Sequence, residues 1–503
     1  MNKGFLSSSR SIRLLKVFLL FSLFSLINIA LGYSFKFLYV LSFATFLIYV
    51  GHKTYKLIVL FFTFIAALYL PFGLIYGPPN HNVATSIYYT DKQELLEFIS
   101  NIDFKYFVFS VILLSFGIAV SRIKTDTLLI KRKSTIAILM IFFFLTPIKY
   151  LSYGDYEKAF SSGLPETRFF TEFAYSAYSL KKEQELYKLQ MTFTEPKVAN
   201  KYDTYVIVIG ESVRRDFMNN YGFPIKNTPF ASSVNGIFFN NYISAASSTQ
   251  PSLTRSLSLY PNINNDIITL VKKSGFKTHW ISNQGFVGMH DGSVASIGRR
   301  SNSYFFLKKM TSKDDLVSLD TDLLTEFKSV LKIPSDKKLI VVHLMGSHSP
   351  FCKRTNGEYD VFFKSEKLSC YVQSIKNTDN LLSDVYKDLK LTNAKWSMLY
   401  FADHGLSLSN DKKDLTHGDD DKESFEAPLF ITSYDSHERR EITSQRSGLY
   451  LFSLISQWMG IMEENIQNDC NIISNHKCNN QNYVIDFKNN RVEFDKLPSS
   501  SIN

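Results

Sequence analysis

Cysteine is scarce in this chain. Four occur in 503 residues, and no two form a Cys-x-x-Cys pair, which argues against a zinc–cysteine cluster. No basic run interleaved with aromatics is present, so nothing calls for a nucleic-acid partner despite a formal net charge of +10. The nucleophile elbow of serine hydrolases, G-x-S-x-G, is incomplete. Gly210, Glu211 and Ser212 of "VIGESVR" are followed by Val213 and then Arg214, where the second glycine would stand. No internal repeat is seen.

Composition instead divides the chain in two. Five apolar segments, roughly 13–31, 35–51, 56–77, 105–121 and 134–152, fill the N-terminal part. Each approaches the ~20 residues needed to cross a bilayer as a helix. A cleaved signal peptide would also place basic residues before an apolar run, but no small-residue cleavage site follows the first segment, and further segments come directly after it. Arg10, Arg13 and Lys16 precede the first segment, and Lys53 and Lys56 lie between the second and third. Arg122, Lys124, Lys131, Arg132 and Lys133 lie between the fourth and fifth. If every segment crosses, all three clusters fall on one side, the cytoplasmic side by the positive-inside rule. The loop 78–104 and everything after segment five then lie opposite, in the periplasm of a bacterium. Many of the basic residues thus serve as topology signals.

The expected organisation is a five-helix transmembrane domain over 1–152, a connector with an interfacial helix over 153–200, a catalytic domain over 201–490 and a frayed polar tail over 491–503. All four cysteines, Cys352, Cys370, Cys470 and Cys478, fall in the outward domain. An oxidising compartment favours disulfides. Three pairings are open, and proximity favours 352 with 370 and 470 with 478. "YDTYVIVIGES", "GFKTHWIS", "KKLIVVHLMGS", "AKWSMLYFADHG" and "EAPLFITS" read as buried strands, separated by helical stretches such as "NNDIITLVKKS" and "IKNTDNLLSDVYKDLK". That alternation predicts an α/β sandwich with a mainly parallel sheet, whose ligands collect at the carboxyl ends of the strands.

Those ends carry the chemistry. One strand ends in Glu211 and another in Asp403 and His404. His348 follows a third, and His417 lies in "LTHGDD". Two carboxylates and three imidazoles at one sheet edge suit Zn2+. The run "ISAASSTQPSLTRS", residues 243–256, has the composition of a solvated loop or turn. Beside a divalent cation, one of its hydroxyls becomes a candidate nucleophile, because a cation lowers the pKa of a bound oxygen. That combination points to phosphoryl or sulfuryl transfer through a covalent intermediate.

These motifs, in this order and spacing, resemble the membrane-bound phosphoethanolamine transferases of the alkaline phosphatase/sulfatase superfamily. "VIVIGESVRRDFMNNYGFPIKNTPF", "HLMGSHSP", "FADHG" and "THGDD" carry the likeness, which covers nearly the whole chain. It implies a periplasmic sulfatase-like α/β domain on a five-helix inner-membrane anchor. It implies metal ligands at Glu211, Thr249, Asp403 and His404, with Thr249 the nucleophile and Ser248 its adjacent rival. It places His348 and His417 on the phosphoethanolamine group or a second zinc. Related sulfatases carry Cys or Ser, converted to formylglycine, where "TQPSLTR" has Thr249, and threonine cannot be so converted. Thr90 and Glu94 of "YYTDKQELLEF" match a substrate-holding segment, although Ser86 replaces the family's asparagine; an N-capped surface helix explains the same residues. The implied reaction moves phosphoethanolamine from phosphatidylethanolamine to lipopolysaccharide. "WISNQGFVGMHDGSVASIGRR" leans toward members that modify a core heptose rather than lipid A. A sulfatase, phosphodiesterase or phosphoglycerol transferase on the same fold is the alternative enzyme, and a non-enzymatic sensor the alternative class. Asp419, Asp420 and Asp421 are expected to form a solvated acidic loop, His343 to pack within its strand, and His279 and His290 to have no role.

Overall fold

"TYVIVIG", Thr204–Gly210, has no side chain that favours water except its first, and all seven residues are buried in a strand, β1. The computed structural model describes residues 9–80, 83, 86–87, 99, 102–124, 129–152, 163–185, 188–285, 293–308, 318–466 and 470–502. Thr90, Glu94 and His290 lie outside the described residues. Two compact units result, one of residues 1–84 and 100–181, the other of 85–99 and 182–503.

In the first unit, five helices lie over the five apolar segments: α1 (Ser9–Ala30), α2 (Phe37–Ile48), α3 (His52–Tyr76), α4 (Phe104–Ser121) and α5 (Leu129–Ser152). By length and composition, α3 over His52–Ile75 and α4 are long and apolar enough to cross a membrane; α1 over Leu14–Ala30 and α2 are shorter apolar helices. Tyr55 of α3 donates its hydroxyl to the Val120 carbonyl of α4 at 2.6 Å, and Ser110 donates to Ala67 O at 2.8 Å. Such bonds satisfy polar groups among apolar side chains, where no water would. A sixth helix, Pro165–Glu185, comes next.

The second unit is built on an eight-stranded sheet. Its strands are β1, β2 (Gly236–Phe239), β3 (Lys277–Gly285), β4 (Ser303–Lys308), β5 (Lys338–His343), β6 (Trp396–Ala402), β7 (Leu429–Ser433) and β8 (Arg439–Ile442), in the spatial order β8-β2-β7-β6-β1-β5-β3-β4. The pairings β6–β1, β1–β5, β5–β3, β3–β4 and β8–β2 are parallel; only β7 runs antiparallel to its neighbours β6 and β2. The sheet is therefore mixed and mainly parallel, as the sequence predicts.

Both faces are covered, which is why the central strands read as unbroken apolar runs. Tyr205, Ile207 and Ile209 enter one core cluster, while Val206 and Val208 enter the cluster on the opposite face. The long helix Glu366–Lys390 contributes to both, with Leu368, Tyr371 and Ile375 on the first and Leu381, Leu382 and Val385 on the second. Disulfides join Cys352 to Cys370 and Cys470 to Cys478, the pairing favoured by proximity.

Three sequence expectations are corrected. The hydroxyl-rich run is not a solvated loop: Thr249–Ser256 forms a helix whose Ser252, Leu253, Thr254, Arg255 and Ser256 are buried. The hydroxyls of Thr249, Ser252 and Thr254 find acceptors inside the domain, as in Thr254 Oγ1 to Gln250 O at 2.6 Å. The polar tail is held, not frayed. Tyr483–Ile485 and Arg491–Glu493 pair as an antiparallel hairpin, and Phe494 and Ile502 are buried. Nor is the acidic run a solvated loop throughout. Asp421 is buried and accepts from Ser424 N at 3.0 Å, and Asp419 accepts from Phe487 N at 2.6 Å. Asp420 alone of the three is exposed.

Candidate active site and metal centre

Parallel pairing of β1 with β6 sets Gly210 opposite Ala402. The residues that leave these strands, Glu211 and Asp403, therefore emerge side by side, and the Asp403 amide donates to Gly210 O at 3.1 Å. His404 is the next residue. Ligand atoms of Glu211, Asp403 and His404 all lie within 4.8 Å of one another, and the three residues are at most 1% exposed.

Local backbone holds this cluster open. Ser212 adopts φ 58°, a left-handed conformation unusual for a residue with a side chain. It allows Ser212 N to donate to Asp403 Oδ1 at 3.0 Å and Ser212 Oγ to donate to Glu211 Oε1 at 2.7 Å. Tyr371 of the long helix clamps the turn, donating to Ser212 O at 2.7 Å and accepting from Arg214 N at 2.8 Å. On the other side, Gly346 presses on Glu211; a Cβ there would meet the Glu211 amide nitrogen at 2.9 Å, and φ is +49°. Half-buried Asp320 fixes that turn by accepting from Met345 N and Gly346 N, each at 2.8 Å. Sequence reasoning misses Asp320, Tyr371 and Ser212. Apart from the Ser212 bond to its neighbour Glu211, their partners are distant in sequence, and no local pattern marks them.

Thr249 is the first residue of its helix. Its Oγ1 donates to Glu211 Oε2 at 3.0 Å and lies 3.4 Å from His404 Nε2. One turn on, Ser252 donates to Asp403 O at 2.6 Å and ties the helix to the end of β6. Ser248 is the N-cap residue. Thr249 is partly exposed, as are His348 and His417, so the hydroxyl is reachable while the carboxylates below it are not. The His417 ring centroid lies 5.0 Å from that of His404 and 6.5 Å from that of His348. The structure thus brings together Glu211, Asp403, His404, Thr249, His348 and His417. His343 is buried within β5 with its ring 5.8 Å from Trp280, and His279 Nδ1 lies 2.6 Å from Ser303 Oγ.

The electrostatics are those of a cation site. Burial and repulsion from Glu211 push the Asp403 carboxyl well above the usual range. Burial also opposes ionisation of Glu211, yet the hydrogen bond to His404 and its charge hold that carboxyl well below the usual range. Burial lowers the His404 imidazole, but Asp403 and Glu211 outweigh it and raise the group to about 9. Burial, with His404 and His348 nearby, pushes His417 down to about 3. A field that holds a proton between two buried carboxylates will hold a cation, whose binding displaces that proton. Asp403 Oδ2 is the decisive atom: it is buried and has no hydrogen-bond partner. Such an oxygen is costly unless something pairs with it, and a carboxylate–imidazole donor set fits zinc.

Comparison with known proteins places this geometry in a family. A sulfatase family model matches residues 203–461. Phosphoethanolamine transferase OpgE of Escherichia coli K12 is 34% identical over 491 residues, covering 94% of this chain and 93% of its own. The chain belongs to the phosphoethanolamine transferases of the sulfatase family. Among solved structures, the integral membrane lipooligosaccharide phosphoethanolamine transferase A of Neisseria meningitidis matches with a TM-score of 0.60 at 17% identity, covering 92% of this chain and 96% of that one. The periplasmic domain of E. coli EptC, solved in complex with Zn, matches with a TM-score of 0.56 at 22% identity, covering 62% of this chain and 99% of that one. These two likenesses show a shared fold.

Proposed function

We propose that this family member transfers phosphoethanolamine from phosphatidylethanolamine to a sugar hydroxyl of lipopolysaccharide, a core heptose, through a phospho-threonine on Thr249. The observation that carries the reading is the placement of Thr249 Oγ1 against Glu211 Oε2 and His404 Nε2, above the unpartnered Asp403 oxygen. Glu211, Asp403, His404 and Thr249 would hold zinc. When bound, zinc supplies Lewis acidity, lowering the pKa of a coordinated oxygen and offsetting charge on a phosphoryl group.

The residues of the chain do the rest. The helix fixes Thr249 Oγ1 at the mouth, and its bond to phosphorus forms as the bond from phosphorus to the diacylglycerol oxygen breaks. The threonine proton is released, and the departing oxygen takes one up. The acceptor oxygen then bonds to phosphorus as the bond from phosphorus to Thr249 Oγ1 breaks; the acceptor hydroxyl gives up its proton and Thr249 takes one up. His348 and His417, partly exposed beside Thr249, are placed to contact the phosphoethanolamine group. Thr90 and Glu94 are assigned to substrate holding by the family likeness of "YYTDKQELLEF". A lipid donor and a lipid leaving group explain an anchored enzyme. The five N-terminal helices are taken as five spans over 1–152, followed by a connector over 153–200, with the catalytic domain in the periplasm.

Intact-mass spectrometry of the full chain incubated with phosphatidylethanolamine tests this reading. A phosphoethanolamine adduct on Thr249, absent from Thr249→Ala, is expected. Diacylglycerol release with an adduct on Ser248, or on neither residue, would overturn the nucleophile assignment. Offering lipid A and heptose-bearing core oligosaccharide separately as acceptors distinguishes the two targets.

A further inference from the structure

The C-terminal hairpin, Tyr483–Ile485 with Arg491–Glu493, touches both chain segments that flank the nucleophile. Ile485 N donates to Ala245 O at 2.8 Å, and Ala246 and Ile485 form a parallel bridge, so the hairpin extends the strand-like approach to Thr249. Its turn is rigidly made. Asp486 accepts from Lys488 N at 2.9 Å and from Asn490 N at 2.7 Å, and Asn489 sits at φ 66°, a conformation asparagine tolerates better than most residues.

Two side-chain links leave this turn in different directions. Asn489 Oδ1 accepts from Arg255, on the helix that Thr249 begins. Arg255 is itself buried, stacked 4.3 Å over Tyr260 and bonded to Pro251 O at 3.0 Å, so it transmits position rather than swinging free. Phe487 N donates to Asp419 Oδ2 at 2.6 Å, two residues beyond His417. His417 in turn has Nδ1 3.5 Å from the carbonyl oxygen of Ser247, two residues before the helix. The turn 486–490 is thus the common support of the Thr249 helix and the His417 segment.

We propose that Asp419 and Asn489 are positioning residues, through which the C-terminal hairpin sets the spacing between Thr249 and His417. Neither touches the reacting atoms. The catalytic consequence rests on the proposed phospho-threonine reaction, but the mechanical claim does not. Loss of either link frees one flank of the site, while the sheet beneath, whose strands do not depend on the turn, stays intact.

Hydrogen–deuterium exchange on the full chain in nanodiscs tests the mechanical claim without any chemistry. Asn489→Ala should speed exchange of amides 247–250, and Asp419→Ala that of amides 416–418, each about tenfold, the effect of losing one hydrogen bond. Strands β1 and β6 should remain protected. Asp419→Asn, which keeps an acceptor oxygen, should restore wild-type exchange. In parallel, the two alanine variants should form the Thr249 adduct about tenfold more slowly at saturating lipid with an unchanged KM, and Asp419→Asn should recover the rate. Exchange confined to 486–490, or equal acceleration in β1 and β6, would overturn the inference. So would a rate loss that the asparagine variant fails to recover. Absence of the adduct from wild-type protein would instead overturn the reaction and leave the exchange result to decide the positioning.

Discussion

Two buried acidic pairs stand in the same domain and meet different fates. Asp421 and Glu423 are 8% and 4% exposed, and every one of their carboxylate oxygens is paired. Asp421 Oδ1 accepts from Ser424 Oγ at 2.5 Å and Asp421 Oδ2 from Ser500 Oγ at 2.5 Å; Glu423 accepts from Ser499 Oγ and, at 2.7 Å, from Ser500 N. Glu211 and Asp403 are more deeply buried and share the strand ends with His404, yet Asp403 Oδ2 accepts no hydrogen bond and has only His404 Nε2 beside it, at 3.5 Å. Burial of two acids is therefore no mark of a site. A complete set of neutral donors makes an acid pair a fastener for the C-terminal segment, whereas an incomplete set beside an imidazole makes it a cation cradle.

The largest effect that tests this contrast lies at Thr249. Thr249→Ala should reduce phosphoethanolamine transfer on the order of 10⁴-fold or more, as expected for loss of a covalent nucleophile, with zinc still bound by the three remaining ligands. Activity and metal content measured on one preparation check both statements. A smaller effect is expected at the satisfied pair. Asp421→Asn leaves zinc content unchanged but lowers unfolding stability by about 1–3 kcal/mol, the cost of disturbing buried hydrogen bonds; denaturant unfolding of the full chain reads it.

The smallest concerns a third acid, Asp379, whose two oxygens accept from Phe230 N at 2.8 Å and Ala231 N at 3.0 Å. Burial raises its carboxyl to about 6 despite those bonds. The folded state thus holds the proton more tightly than the unfolded chain, so its contribution falls as pH rises from about 4 to about 6 and is flat above. Asp379→Asn should remove that slope from the stability–pH curve, and an unchanged slope would show that Asp379 ionises as freely in the fold as outside it.

The catalytic edge was legible in the sequence because parallel strands buried on both faces read as short apolar runs, and the residues just past the end of each run must gather at one edge of the sheet. Glu211, Asp403, His404, His348 and His417 could be placed together on that ground, and Thr249 by family likeness. Asp421 could not be told from a solvated acid, since its partner Ser500 lies 79 residues further on. The helix Thr249–Ser256 was obscured because serine and threonine favour loops unless their hydroxyls find buried acceptors, and two of those acceptors, Glu211 Oε2 for Thr249 and Asp403 O for Ser252, stand at the ends of distant strands. The edge strands β4 and β8, and β2 next to β8, also escaped notice. β2 and β8 have only four residues each, and β8 alternates exposed and buried positions only weakly.

Zinc content bears most directly on the central claim. Wild-type protein, Asp403→Asn and Asp421→Asn, each purified without chelator and dialysed against buffered zinc, should be compared by elemental analysis. Zinc bound tightly by wild type and Asp421→Asn, with affinity at least about a hundredfold weaker in Asp403→Asn, is the predicted result. Equal zinc in all three, or loss in Asp421→Asn alone, would contradict the assignment of the Asp403 carboxylate as a metal ligand.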